Sequence, residues 1–214
     1  MTPEFAKAVD PVFQYVIDLL ERISADESVS AKDERVQIRT RLDQAEALLG
    51  HGPDWQLAKY ALVTWIDEVL IEAPWTNGKW WKENTLEWED FKSSDAYEGF
   101  YLKAKESSAL KRKDALEVFY VCAVLGFRGL YRDPAQAATL VEPLELPPDL
   151  ESWAKQTAMA IQLGRGRPGI SDASVPIEGA PPMDGPFVLI WASVVGLVLA
   201  MLSVFLVILL FFRA

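Results

Sequence analysis

An all-α fold is what this chain predicts: a helical bundle followed by one C-terminal transmembrane helix. Three observations carry that reading. Apolar residues recur at helical spacing up to about residue 163, with no sustained alternation of period two that would argue for a sheet. Short breakers, such as HGPD at 51–54, separate the periodic stretches. From Phe187 to Phe212 the chain reads FVLIWASVVGLVLAMLSVFLVILLFF without a charge. As a helix that run would extend roughly 39 Å, more than a hydrocarbon core of about 30 Å.

The elements follow in order. A first helix is predicted from Pro3 to Ile23. A second begins after Ser30, where Ser30-x-x-Asp33 makes an N-terminal capping pattern, and ends at Gly50. The third starts near Asp54 and carries the stretch WIDEVLIEAPW, Trp65 to Trp75. Shorter helices are expected at 84–92 and 95–106, another at 111–127 and a last one at 148–163. Residues 164–186, GRGRPGISDASVPIEGAPPMDGP, are too rich in Gly and Pro to bury a core and read as a flexible tether with a reach of roughly 25 Å. Residues 187–212 form the predicted span, and 213–214 are a short tail beyond it.

Charge and composition exclude several functions. The 214 residues hold 31 acids against 21 bases, a net charge of −10. So acidic a chain is poorly suited to nucleic acid, and anionic membrane surfaces are disfavoured too. The single cysteine, Cys122, lies in the apolar run VFYVCAVLGF as a buried structural thiol, in keeping with a reducing compartment. His51 is the only histidine, so neither a histidine-based metal site nor a Cys/His pair is readily assembled. No phosphate-binding or dinucleotide glycine pattern is present, and no catalytic residue or cofactor is expected. The N-terminus lacks a basic region followed by an apolar one, so the body is expected to stay in the cytoplasm with the last residues across the membrane.

The third helix can be read by angle. Trp55, Ala58, Leu62, Trp65, Ile66 and Val69 fall within an arc of about 100°, the expected core stripe. Asp67 lies opposite, beside Tyr60, Thr64 and Ile71, on an outer face more apolar than solvation requires; Glu68 sits at the border. Adjacent helical residues project about 100° apart, so the two carboxylates do not converge as an acid and base pair. They are either solvated decoration or partner contacts from two directions. Of the 8 tryptophans, Trp55, Trp65, Trp75, Trp80, Trp81 and Trp88 cluster in this region. Trp55 and Trp65 suit the core, whereas Trp75, Trp80 and Trp81 suit either loop packing or a partner surface.

Two further patterns matter. DALEVFYVCAVLGFRGLYR is apolar nearly all round from Val118 to Leu125, which predicts a central buried helix. Arg128 and Arg132 follow it, placed to neutralise its dipole or to pair with acids of another helix. Within the predicted span, Ala192, Gly196 and Ala200 recur every fourth residue, a small-residue stripe that permits close helix packing.

Taken together, YALVTWIDEVLIEAPW, a Trp-rich loop, LEVFYVCAVLGFRGLYR and a terminal apolar run resemble the DotU/TssL family of type VI secretion systems and its type IVb relative, DotU or IcmH. The resemblance rests on Ile66, Asp67, Glu68, Pro74, Trp75, Glu117, Leu125, Gly126, Phe127, Gly129, Tyr131 and Arg132. In the middle of the domain DAYEGFYLKA keeps the aromatic pair Phe100 and Tyr101 but rearranges the family's glycines. The resemblance implies a cytoplasmic domain of two three-helix groups meeting at a cleft and anchored in the bacterial inner membrane. It further implies a homodimer that assembles with a TssM/IcmF-like membrane protein and docks cytoplasmic baseplate proteins of the TssK/TssE kind. No enzyme is implied. Tyr60, Thr64, Asp67, Glu68 and Trp75 are the expected partner-binding residues, and charge reversal at Asp67 and Glu68 is expected to weaken docking while leaving the fold intact. The competing readings are a tail-anchored adaptor unrelated to secretion and a membrane-tethered, carboxylate-dependent hydrolase.

Overall fold

In the computed structural model, residues 1–164, 193–197, 201 and 203 are described, and all regular structure among them is helical. The chain divides into two units, 1–168 and 169–214.

In the first unit, α1 (Pro3–Ser24) begins with Thr2 accepting from the Phe5 N–H and Pro3 in the first turn. The Thr2 amide also donates to Asp114 Oδ1 at 2.6 Å, which ties this end of α1 to the start of the later helix α7 (Asp114–Val124). α2 (Ala31–Leu49) starts after Ser30 as expected, but the Ser30 side chain makes no capping bond. The α1–α2 pair is locked instead by Glu34, which takes both Arg22 guanidinium nitrogens at 3.0 Å and the Tyr15 hydroxyl.

α3 (Pro53–Glu72) is the hub. It packs on α2, on α4 (Gly78–Glu83), α5 (Leu86–Phe91) and α6 (Ala96–Ala109), and most extensively on α7 (Asp114–Val124). Phe13 of α1 meets Trp65 with ring centroids 5.2 Å apart. Leu57, Tyr60, Val63, Thr64 and Asp67 are buried as fully as the predicted stripe. The expected outer face is therefore covered. α3 is the helix buried all round, whereas α7 leaves Val124 exposed and Tyr120 and Val121 only half-buried.

After α7 the chain makes a 3-10 turn (Gly129–Arg132), then α8 (Pro134–Leu140) and α9 (Leu150–Gly164), which packs on α7 and α6. Phe100 stacks on Phe127 at 3.8 Å, and Tyr101 meets Tyr131 and Trp153 edge-on at 4.7 and 5.2 Å. The aromatic pair of DAYEGFYLKA thus joins LGFRGLYR and α9 in one core.

In the second unit, residues 193–197, 201 and 203 are helical. Gly196 has no neighbour within 4 Å of where a Cβ would stand. Ala192, Ala200, the tether and most of the predicted span lie outside the described residues. Among the described residues no helix is long and apolar enough to cross a membrane.

Candidate functional site

Helix α3 presents Asp67 and Glu68 in different directions, and each holds a different segment. Asp67 is 5% exposed. Its Oδ1 accepts from Trp81 Nε1 at 2.8 Å and the Leu86 N–H at 2.9 Å, and its Oδ2 from the Glu87 N–H at 2.8 Å. It therefore caps the start of α5, a task that Thr85, the residue in the capping position, does not perform. Burial pushes the Asp67 carboxyl up to about 6, while the three donors pull it down.

Glu68 acts on the opposite side. Its carboxylate accepts from the Arg128 N–H at 2.5 Å and the Gly129 N–H at 3.1 Å, at the start of the 3-10 turn, and pairs with Arg132 at 2.9 Å. Arg132 also bonds Glu72, and Arg128 Nη1 donates to the Ala123 and Phe127 carbonyls at the end of α7. Both readings of the arginines are thus realised, one at each residue. Trp65 Nε1 donates to the Leu125 carbonyl at 3.3 Å. WIDEV and LGFRGLYR, far apart in sequence, are bound directly to one another.

The expected exposure of the docking residues is corrected accordingly. Tyr60, Thr64 and Asp67 are buried because α4, α5 and α6 cover the side of α3 that a helical wheel leaves blank. Tyr60 donates to Glu87 Oε1 at 3.0 Å and Thr64 to the Tyr60 carbonyl at 2.8 Å, so their polar atoms are spent inside. Charge reversal at Asp67 and Glu68 would set ammonium groups against the N–H groups of two helical starts, and on these contacts it should disturb the fold as well as any docking.

Trp75 is placed differently. It is half-buried, its Nε1 donating to the Leu70 carbonyl at 2.7 Å and its ring tilted against Trp81 at 6.2 Å. It lines a groove of about 600 Å³ between the α1–α2 turn, Ile23 to Val29, and the α3–α4 loop, Ala73 to Asn77. Asn77 Nδ2 donates to the Val29 carbonyl at 2.8 Å and fixes one wall to the other. Asp26 and Glu27 stand exposed at the lip, and neither has an ion pair among the described residues. Asp26 sits at φ +57, in the turn that aims this lip. Nothing in the sequence alone joined residues 23–29 to Trp75, since only folding brings the α1–α2 turn to this loop.

Chemistry is sparse. His51 is exposed on the α2–α3 turn, 2.8 Å from Glu46, whereas Cys122 is fully buried in α7, its thiol pushed well above the usual range by burial. Among the described residues no cluster of three His, Cys, Asp or Glu is arranged to hold a metal.

A helical scaffold whose carboxylates bind its own backbone, with no metal cluster among the described residues, has the character of a structural protein. The family model described as Type VI secretion system protein DotU matches residues 4–211, and the chain belongs to that family. It is a structural component of a type VI secretion system, associated with a membrane, and not an enzyme. Neither the curated proteins nor the solved structures that were compared contain a match.

Proposed function

We propose that this chain anchors the secretion apparatus in the bacterial inner membrane and docks the cytoplasmic baseplate through the Trp75 groove. The observation that carries the docking reading is the groove itself: a half-buried tryptophan beside two carboxylates that have no ion pair among the described residues, on walls fixed by Asn77. Aromatic residues in such settings supply binding area, and unpaired rim charges select a cationic counterpart. Of the expected partner-binding residues only Trp75 lines the groove; Asp67 backs it through Trp81, whereas Tyr60, Thr64 and Glu68 serve the packing of α3 elsewhere.

The anchoring reading rests on the sequence. Residues 1–163 form the cytoplasmic domain, 164–186 the tether and 187–212 the span, with 213–214 in the periplasm. The stripe Ala192, Gly196 and Ala200 lets two spans approach, either in a homodimer or against a TssM/IcmF-like protein. The groove receives TssK/TssE-like baseplate proteins.

Affinity purification of the full chain from detergent-solubilised native membranes tests this reading. The wild type should bring down a large multi-span membrane protein together with baseplate proteins. W75A and the pair D26K/E27K should keep the membrane partner and lose most of the baseplate. Undiminished baseplate recovery with these variants would sink the groove assignment, and recovery of neither partner by the wild type would sink the assembly role.

A further inference from the structure

The chain-wide charge argues against an anionic surface, yet that charge is unevenly placed. The loop between α6 and α7 reads Leu110-Lys111-Arg112-Lys113. Lys111 is exposed and has no ion-pair partner among the described residues. Arg112, itself 54% exposed, neutralises the buried Asp114 at 2.7 Å. Lys113 Nζ donates to the Ser108 and Leu110 carbonyls at 2.5 and 2.7 Å, which folds the loop back over the end of α6. The stem of Lys113 lies against the last residue of α9, where a Cβ on Gly164 would collide with Lys113 Cγ.

That end of α9 is also apolar on its outside. Met159 and Leu163, one turn apart and so on one face, are 61% and 82% exposed. A leucine left that bare at the close of a helix gains nothing from the domain's own core. An exposed lysine and a half-exposed arginine near protruding apolar side chains suit a segment that lies in a headgroup layer. Glu4, Asp54 and Asp114 are the acids acting on Arg112, and Asp114 is the one it neutralises. From Gly164 the sequence continues through 165–186 to the apolar run at 187–212, a separation of roughly 25 Å for a flexible chain.

We propose that this end of the domain rests on anionic phospholipid headgroups, with Lys111 and Arg112 facing the phosphates and Met159 and Leu163 entering the interfacial layer. The proposal rests on the anchoring reading above. It assigns the surface to lipid rather than to protein because bases near bare apolar side chains suit a headgroup layer, and a flexible chain from Gly164 to the apolar run keeps this end within roughly 25 Å of it. The groove at Trp75 is built from other elements, so the two surfaces can be occupied together.

The test uses the full chain carrying A109C, a position exposed at the end of α6, labelled with an environment-sensitive fluorophore; Cys122 is buried and does not compete for the label. The chain is reconstituted into vesicles of phosphatidylcholine alone or mixed with phosphatidylglycerol. A blue-shifted, brighter emission is expected only with phosphatidylglycerol, fading as salt is raised to about 0.5 M. K111E should lower the lipid-contacting population on the order of tenfold. L163S should lower it too, whereas K32E, the same charge change on α2, should leave it unaltered. Equal emission in the two lipids, or equal effects of K111E and K32E, overturns the proposal. Carbonate-resistant flotation reports the anchor separately. A chain that floats without a phosphatidylglycerol-dependent shift refutes the surface and leaves the anchor standing, and one that does not float overturns both.

Discussion

Asp67 titrates in the wrong direction for an ordinary stabilising carboxylate. The unfolded chain releases this proton near 3.8 and the folded chain only at about 6, because burial outweighs the three donors. Between those values the native state holds more protons, so the contribution is full below pH 3.8 and is lost as pH rises through 6. The loss amounts to about 3 kcal/mol across the window. Urea denaturation of wild type and D67N from pH 4 to 7 should show their stability difference shrinking with pH and levelling above 6; a constant difference would refute the assignment. At pH 7 the Asn amide would also turn a donor toward the Leu86 or Glu87 N–H, at a cost of about 1–3 kcal/mol. A helical wheel reports the angle of Asp67 but not what lies beyond it. The legible hint was chemical: Tyr60, Thr64 and Ile71 beside Asp67 are too apolar for a solvated face, and they announced the second packed layer.

Among the elements, length decided what could be read. α1 and α2 fall within a residue of their expected ends, and α3 within a residue of its expected start, because each repeats its apolar period over several turns. α4, α8 and the 3-10 turn, at 6, 7 and 4 residues, are shorter than one readable window and went unseen, although α5, also of 6 residues, falls within its expected 84–92. Such pieces do not stand alone; they form because long-range partners hold them. α5 depends on Asp67 at its start and on Arg35, which reaches the Thr85 carbonyl at 3.3 Å and Glu89 at 2.5 Å. The 3-10 turn depends on Glu68 and on Gly129, which sits at φ +44 and where a Cβ would fall 2.7 Å from the Phe127 ring and 2.9 Å from the Tyr97 carbonyl. Gly129→Ala should therefore cost more than about 1 kcal/mol and lower the melting temperature in thermal circular dichroism. An unchanged melting temperature would mean that the turn is held by other contacts.

For the whole molecule, the sequence made the helical class, the tryptophan core and the family legible, while the groove depends on a meeting of residues 23–29 with 73–77 that no local pattern encodes. The anchor is testable at this scale. The full chain should stay with native membranes through carbonate extraction, and Gly196→Leu should reduce cross-linking between copies or to the larger membrane partner, since a bulky side chain separates helices that a glycine lets approach. Unaltered cross-linking would remove Gly196 from the interface. The adjacency of Asp67 and Glu68 carries one more consequence, for how this chain can vary in length. One residue added to or removed from α3 ahead of them would rotate both carboxylates by about 100° and unhook α5 and the 3-10 turn together. Insertions and deletions should therefore survive in the 92–95 loop or the 142–149 connection and be lethal to folding between Trp55 and Asp67, which an insertion scan scored by soluble expression of the domain would map residue by residue.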